Sequence, residues 1–375
     1  MNDYSVSFSV ALNAARGLAT FVAPVVIAFV TGAAGVAQAG DIGASPGPVL
    51  LAQAAPRPSA ASLQAELEAL VKAGKAEGEI LWYSAATENV AKRVSAAFTA
   101  KYGIKAPFVR IGGVQILTRF AAEAESNNFA SDLVFNSGDV VNFAEDGIRK
   151  GWVESISLAG LPVLKGGEFP AKLNLGPTAI VQIAPWMLAY NSEKLTGADI
   201  PKDWPDLLNP KFKGQIIAPG PRSSDAYIAF WALLFDRYGE SFFAQLRAHN
   251  PRLFDGGGTA AVNALAAGEG SVMLPVVPGL VQGLVDSGAP LKMVSMEFTT
   301  GIEMQLFLTA RARARHPNAA RLFANYVLSP EGNKVFNDDP GGVTVYDTSR
   351  LPARYQSPKP GIFNRRDEMA KLFGR

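Results

Sequence analysis

Short buried strands alternate with amphipathic helices along this chain. Strands are predicted at 79–84, 105–111 and 132–135, and apolar residues recur every three or four positions between them. Because parallel strands need a long crossover, usually a helix, this alternation predicts an α/β fold with a mostly parallel sheet covered on both faces. Ligands bind beyond the carboxyl ends of such strands, which directs attention to the loops after Tyr83, Ile111 and Phe135.

A different unit begins near Tyr190. Its strands are predicted from 214–218 and at 271–277, 291–295 and 303–309, and its helices at 225–238, 259–267, 317–328 and from 329 onwards. The chain has 375 residues, of which 48% are hydrophobic. That length and composition suffice for two units, each with a sizeable core.

Composition and missing motifs exclude several classes of function. The chain has no Cys, which excludes a disulfide framework and a cysteine nucleophile, and its net charge of +2 gives no field to hold nucleic acid. Its two histidines, His249 and His316, lie at predicted helix ends, and neither is accompanied in the sequence by acids and serines at the spacing of a catalytic triad. Phosphate-loop and zincin motifs are absent from the sequence. The sequence therefore predicts a protein that is not an enzyme and has no catalytic residues, cofactor or metal ligands.

The N-terminus is typical of an export signal. Residues 17–36 form an uncharged apolar run, and the Ala-Gln-Ala sequence at 37–39 matches the small-x-small rule for cleavage. A retained membrane anchor is the alternative, because the run is close to spanning length. Pro24, the small residues and the cleavage site favour removal of 1–39, with the mature protein in the periplasm. The segment 40–61, rich in Pro, Ala and Gly, is predicted to be a flexible linker.

Four loops that precede helices carry the ligand hypothesis: 84–87, 136–139, 221–225 and 256–259. Their small and hydroxyl-bearing residues would let an anion approach helix amides, and Arg222 adds a fixed positive charge. Helix capping uses the same residue types, so one such loop alone is weak evidence. Two loops from each unit, converging on one cleft, would favour ligand binding.

Two tyrosines at strand ends are candidates for cleft walls. Most aromatic residues are expected in the core, but Tyr83 and Tyr190 combine an apolar ring with a polar tip beside these loops. The complete set of predicted ligand-binding residues is Tyr83, Ser84, Thr87, Asn136, Ser137, Tyr190, Arg222, Ser223, Ser224, Gly258, Thr259 and Val277.

Several segments, taken together, resemble the type 2 periplasmic solute-binding proteins of ABC importers. The segments are LVKAGKAEGEILWYS at 70–84, SDLVF at 131–135, LAYNSEKL at 188–195, KFKG at 211–214 and ARLFANYVLSPEG at 320–332. The similarity is greatest to the group that contains the bacterial ferric-ion-binding proteins, and it spans roughly residues 62–345.

This resemblance implies a two-lobed α/β fold with mixed sheets, helices on both faces, and crossover strands as the hinge. Lobe 1 would comprise 62–187 plus 299–345, and lobe 2 would comprise 188–298. The C-terminal extension 346–375 would pack across the lobes. The protein would act as a monomer that binds a small-molecule ligand and delivers it to an inner-membrane ABC permease.

The sequence departs from the ferric pattern where the metal would bind. Two consecutive tyrosines hold iron in the ferric-binding group, but residues 274–278 here read LPVVP. The group's usual His and Glu align near Thr87 and Gly138. Because Fe(III) requires anionic oxygen donors, a small organic anion is the expected ligand, paired with Arg222. Import of iron(III) or a ferric chelate is one alternative, and a ligand-sensing module for a membrane receptor is another.

Overall fold

A computed structural model describes residues 57–339, 341–359 and 361–374. The predicted signal peptide, its cleavage site and linker residues 40–56 lie outside the described residues. The first helix begins at Ala60, so the predicted linker extends two residues too far. Within the described ranges, no helix combines the length and the apolar character needed to cross a membrane.

The helices and strands are numbered in chain order. The helices are α1 Ala60–Glu77, α2 Glu88–Tyr102, α3 Gly113–Glu125, α4 Val140–Arg149, α5 Pro162–Lys165, α6 Asp225–Ala248, α7 Gly257–Ala266, α8 Pro278–Asp286, α9 Pro317–Leu328, α10 Pro330–Phe336 and α11 Arg366–Lys371. The strands are β1 Trp82–Ser84, β2 Phe108–Arg110, β3 Leu133–Asn136, β4 Val153–Glu154, β5 Ala179–Pro185, β6 Met187–Asn191, β7 Ile216–Pro219, β8 Arg252–Phe254, β9 Val272–Val276, β10 Leu291–Ser295, β11 Phe298–Thr299, β12 Gly301–Thr309 and β13 Arg354–Tyr355.

The first sheet has the order β2-β1-β3-β12-β4, and β5 also pairs with β12. Strand β1 is parallel to β2 and β3, whereas β12 is antiparallel to β3, β4 and β5. The expectation of a mostly parallel sheet is therefore wrong for this lobe. Helix-connected strands pair in parallel at one side, but β12 enters from the second lobe and runs in the opposite direction.

The second sheet has the order β10-β6-β9-β7-β8. Strand β7 is parallel to β8 and β9, and β6 is antiparallel to β9 and β10. Both sheets are mixed, as the family resemblance implied.

Both faces of each sheet are covered, as predicted. Neighbouring strand residues point to opposite faces, so Trp82 packs with Phe98 and Phe323 while Tyr83 packs with Phe120 on the other side. Leu188 and Ala189 divide in the same way between the two cores of the second sheet. Each sheet therefore lies between two hydrophobic layers.

Helix α6 is longer than predicted. The predicted end at Tyr238 coincides with a kink at Gly239, whose φ of 71° lies in the left-handed region that glycine adopts readily. Ten further residues follow Tyr238, up to Ala248. A glycine after an apolar run predicts a helix end, but here Phe242, Phe243 and Leu246 bury the second part of the helix.

The two crossovers between the sheets lie side by side. The amide of Trp186 donates to the carbonyl of Thr300 at 2.8 Å, and the hydroxyl of Thr299 donates to the carbonyl of Trp186 at 2.9 Å. Beyond them, β5 and β12 run antiparallel at close range. A Cβ atom on Gly301 would lie 2.4 Å from the carbonyl oxygen of Ala184.

We expect Gly301→Ala to lower the free energy of unfolding by about 1–3 kcal/mol, because the crossover strands must separate to admit the methyl group. Urea denaturation followed by circular dichroism measures this change. Gly283→Ala in α8 is the matched control, since nothing lies within 4 Å of a Cβ at Gly283. Alanine is a better helix former, so this control should keep or raise stability. Equal stability of the two variants would contradict the close approach.

Candidate functional site

Three of the four predicted loops meet at one place. A Cβ atom on Gly138 would lie 3.2 Å from the Cβ of Asp225, so loop 136–139 of the first lobe touches loop 221–225 of the second. A Cβ atom on Gly257 would lie 3.9 Å from the Cβ of Ser223, which brings loop 256–259 beside them.

Loop 84–87 follows β1 at the same edge of the first sheet as loop 136–139. The amide of Ala85 donates to the carbonyl of Phe135 at 2.9 Å. The parallel pairing of β1 and β3 places both loops at their carboxyl ends, as the alternation of strands and helices predicts. Thr87 is exposed at the start of α2.

Four predicted polar residues make hydrogen bonds within the protein. The Ser84 hydroxyl accepts a hydrogen bond from the Ala86 amide, and the Ser224 hydroxyl accepts one from the Ala226 amide. The Ser223 hydroxyl donates to the Gly220 carbonyl, and the Asn136 side chain donates to the Gly113 carbonyl. Ser84 and Asn136 are also fully buried. Capping and turn formation account for the three serines, whereas Asn136 links the end of β3 to the start of α3.

Tyr83 and Tyr190 are not cleft walls. Tyr83 is fully buried beside α3, where its hydroxyl donates to Glu123 at 2.6 Å. Burial, reinforced by that hydrogen bond, raises the pKa of the Tyr83 phenol. Tyr190 is buried in the second core on β6, a strand paired on both sides. Both rings point along the sheet normal into helix layers, which a position at a strand end does not reveal.

The other predicted ligand-binding residues of the second lobe differ in solvent exposure. Thr259 is exposed, and Val277 is half-buried immediately before α8. Gly258 is buried, and its amide hydrogen-bonds to the Tyr227 phenol. Burial raises the pKa of Tyr227 to about 12, and this amide bond opposes the shift. Tyr227 is therefore a neutral phenol at neutral pH.

Arg222 is exposed and forms an ion pair with Asp367, 2.9 Å away. Exposed pairs of this kind contribute about 0–1 kcal/mol, so the guanidinium can exchange this partner for a ligand anion. Asp225, three residues later, pairs with Arg366. The sequence analysis did not predict that α11 supplies ion-pair partners to loop 221–225, although the charged run 365–368 was a signal for such pairing.

A cavity of about 420 Å³ opens beside loop 136–139, between elements of both lobes. Its lining comprises residues of loop 136–139, α4, turn 171–175, β5, the start of α6, β12 and the C-terminal segment 357–363. Ser137 is the one predicted site residue in this lining. Gly138 and Asp139 belong to the predicted loop 136–139, but the other lining residues were not predicted, because they come from segments far apart in the chain.

Glu303 of β12 is the buried acid of the cavity. It is 8% exposed, and the Tyr355 hydroxyl donates to its carboxyl oxygen at 3.0 Å. Burial raises the pKa of the Glu303 carboxyl, and hydrogen bonds from Ser357 and Tyr355 oppose this shift. The only sequence signal was one acid inside the apolar run IEMQLFL at 302–308.

Further charged groups line the same cavity. Burial raises the pKa of Asp139, a hydrogen bond from Asn142 lowers it, and the carboxylate of Asp225 raises it. Lys172 and Lys359 lie at the cavity and place positive charge there. Lys359 is 3.8 Å from Asp236, and Lys172 has no ion pair within the described ranges.

No cluster of three or more His, Cys, Asp or Glu side chains in the described part of the chain is placed to hold a metal.

Comparison with known proteins identifies relatives of this fold. The sequence profile of the family described as "Bacterial extracellular solute-binding protein" matches residues 132–352. An uncharacterized protein of Haemophilus influenzae is 26% identical over 268 residues, which cover 69% of this chain and 75% of that protein.

Two solved structures share the architecture. The periplasmic binding protein AfuA from Actinobacillus pleuropneumoniae, with fructose-6-phosphate bound, has a TM-score of 0.59 and 22% identity, covering 79% of this chain and 96% of its own. Iron-bound HitA from Pseudomonas aeruginosa has a TM-score of 0.61 and 17% identity, covering 79% of this chain and 98% of its own. These similarities establish the two-lobed fold.

We expect Glu303→Gln to become more stable relative to the unchanged protein as pH rises. A raised pKa means that the folded chain keeps the Glu303 proton after the unfolded chain has lost it, so stability falls from the unfolded pKa up through the folded one. Glutamine does not titrate and escapes this loss, which is about 1.4 kcal/mol for each tenfold difference in proton affinity.

Urea unfolding at pH 4 and pH 8 measures the effect as the difference between variant and unchanged protein at each pH. Glu297→Gln, the same chemical change at an exposed acid immediately before β11, is the control. A Glu303→Gln difference that does not grow with pH would contradict the raised pKa of the Glu303 carboxyl.

Proposed function

Because this chain belongs to the family of bacterial extracellular solute-binding proteins, we propose that it is the periplasmic substrate-binding component of an ABC importer. It captures a solute between its two lobes and delivers it to the inner-membrane permease. The meeting of loops 136–139 and 221–225, one from each sheet, supports capture at the junction of the lobes. Hinge closure around a ligand is a common motion for such a fold.

The lobe boundaries proposed are 62–187 plus 299–345 for lobe 1 and 188–298 for lobe 2. In support, the first sheet draws its strands from 82–185 and 301–309, and the second sheet from 187–295. The extension 346–375 contacts both: Tyr355 hydrogen-bonds to Glu303 of the first sheet, and the Arg247 guanidinium donates to the Leu372 carbonyl.

The proposed solute is a small organic anion. The observation that carries this proposal is the cavity beside loop 136–139, whose walls are largely apolar while Lys172 and Lys359 provide positive charge. Arg222, with its exchangeable partner Asp367, would hold the anionic group. AfuA was solved with a sugar phosphate and HitA with iron, so relatives of this fold bind different solutes.

Hydroxyl groups in or near loops 136–139, 221–225 and 256–259 would complete the anion site. Thr87 and Thr259 are exposed, and Ser137 lines the cavity. The Ser224 oxygen accepts from an amide, which leaves its own hydrogen free to donate to a ligand. The Ser223 hydrogen is committed to the Gly220 carbonyl, so Ser223 is not proposed as a donor.

Native mass spectrometry of protein purified without refolding tests this function, because tightly held solutes copurify. We expect an organic anion, and Arg222→Ala should weaken its rebinding roughly ten- to a hundredfold, the loss of one charge-assisted hydrogen bond. Lys172→Ala, which removes another exposed cation, is the comparison variant. Calorimetry with the copurified anion gives both affinities. A loss confined to Lys172→Ala would move the anionic group to the cavity and remove Arg222 from the site.

Iron import is the second candidate, favoured by the similarity to iron-bound HitA. Direct ferric binding lacks its usual donors here, since Val277 and Pro278 stand where two phenolates are expected. Tyr83 and Tyr190 are buried in separate cores, and Tyr227 is a neutral phenol with a pKa of about 12.

We therefore expect no tyrosinate-to-iron absorption band after ferric citrate is added and excess iron is removed by gel filtration. The visible spectrum and the metal content are recorded together. A persistent band with near-stoichiometric iron would overturn the organic-anion proposal. Iron retained without the band would indicate capture of an intact chelate, with Arg222 on the chelator.

A further inference from the structure

One part of the cavity is lined by apolar side chains from both lobes and from the C-terminal segment. Val141 comes from α4, Leu173 and Ile180 from the turn and strand of the first lobe, Ala229 from α6, Ile302 from β12 and Phe363 from the C-terminal segment. Leu173, Ile180 and Ala229 are buried, and the other three are half-buried. Burial of apolar ligand surface against such a wall is favourable, whereas a hydrated ion has no apolar surface to bury there.

The C-terminal segment is held in place from both sides. Tyr355 hydrogen-bonds to Glu303 at 3.0 Å on the first sheet, and Arg365 forms an ion pair with Asp236 of α6 at 2.7 Å. Arg366 pairs with Asp225 at the start of the same helix. Phe363 is thus positioned by anchors on each side of the cavity and serves as a fixed wall.

The volume also argues for a ligand larger than an inorganic ion. The cavity measures about 420 Å³, within the range of about 300–1,000 Å³ that is typical of sites for small organic molecules. The carboxyl of Glu303 accepts a hydrogen bond from the Tyr355 hydroxyl at 3.0 Å, and burial raises its pKa. Lys172 and Lys359 complement a negative charge.

We propose that this cavity is the specificity pocket of the protein and that it takes the aliphatic or aromatic body of an organic monocarboxylate, packed between Ala229 and Phe363. This inference rests on the proposed function, which places the anionic group at the adjoining loops. Sugar phosphates and inorganic anions would leave the apolar walls uncovered. The pocket therefore selects by the apolar body of the solute, and the C-terminal segment, through Phe363, supplies part of that selectivity.

The test uses a homologous series of probes: butanoate, hexanoate and octanoate, titrated into the full mature protein by calorimetry. Each methylene buried against the walls should raise affinity about fourfold, from the usual transfer free energy of one such group. Ala229→Phe places a ring in the pocket and should flatten this rise. Ala244→Phe, the same change at an exposed position of the same helix, should leave the rise intact.

Ala229→Leu, a smaller intrusion, keeps the test decisive if the phenylalanine variant does not fold. A flat series in the unchanged protein overturns the pocket assignment, as does a rise that persists fully in both Ala229 variants. A flat series together with tight binding of fructose 6-phosphate would overturn this inference while leaving a solute-binding function intact. The proposed function itself fails if no solute copurifies and neither these carboxylates, fructose 6-phosphate nor ferric citrate binds.

Discussion

Strand β12 is the element on which the hinge, the first sheet and the cavity all depend. It pairs with β3 on one side and with β5 and β4 on the other, so the first sheet is continuous only when β12 has returned from the second lobe. Gly301 at its start allows the crossover strands to approach closely, and Glu303 two residues later faces the cavity. The close approach of two backbones therefore positions the wall of the proposed binding site.

The C-terminal segment links this strand to the second lobe. Its hydrogen bond from Tyr355 to Glu303 satisfies a buried carboxyl group, whose burial without a partner would be costly. Its charged residues pair with the start and middle of α6 through Arg366 and Arg365. The same contacts that satisfy these buried and charged groups also hold Phe363 at the cavity, which connects stability of the tail with the shape of the pocket.

Much of the fold follows from local patterns. The run around Trp82 was predictable as a buried strand and the ends of β10 and α9 were predicted correctly, because periodicity and proline position act within one element. The candidate site was less predictable. Ser224 stood out as a helix-capping type and Arg222 as a fixed positive charge, yet Tyr83, which has the sequence context of a cleft residue, lies in the core. Which face a strand-end side chain takes depends on the helix packed against it.

The sequence by itself determined two units of strands and helices, the absence of cysteine chemistry, and the residues LPVVP at 274–278, where the family resemblance implies a tyrosine pair. These are properties of residue identity and local spacing. Only the tertiary structure decided that β12 makes the first sheet mixed, and that Glu303, Ala229 and Phe363 share one cavity. Their juxtaposition results from strand pairing and helix packing between residues far apart in the chain, and no local pattern specifies such contacts.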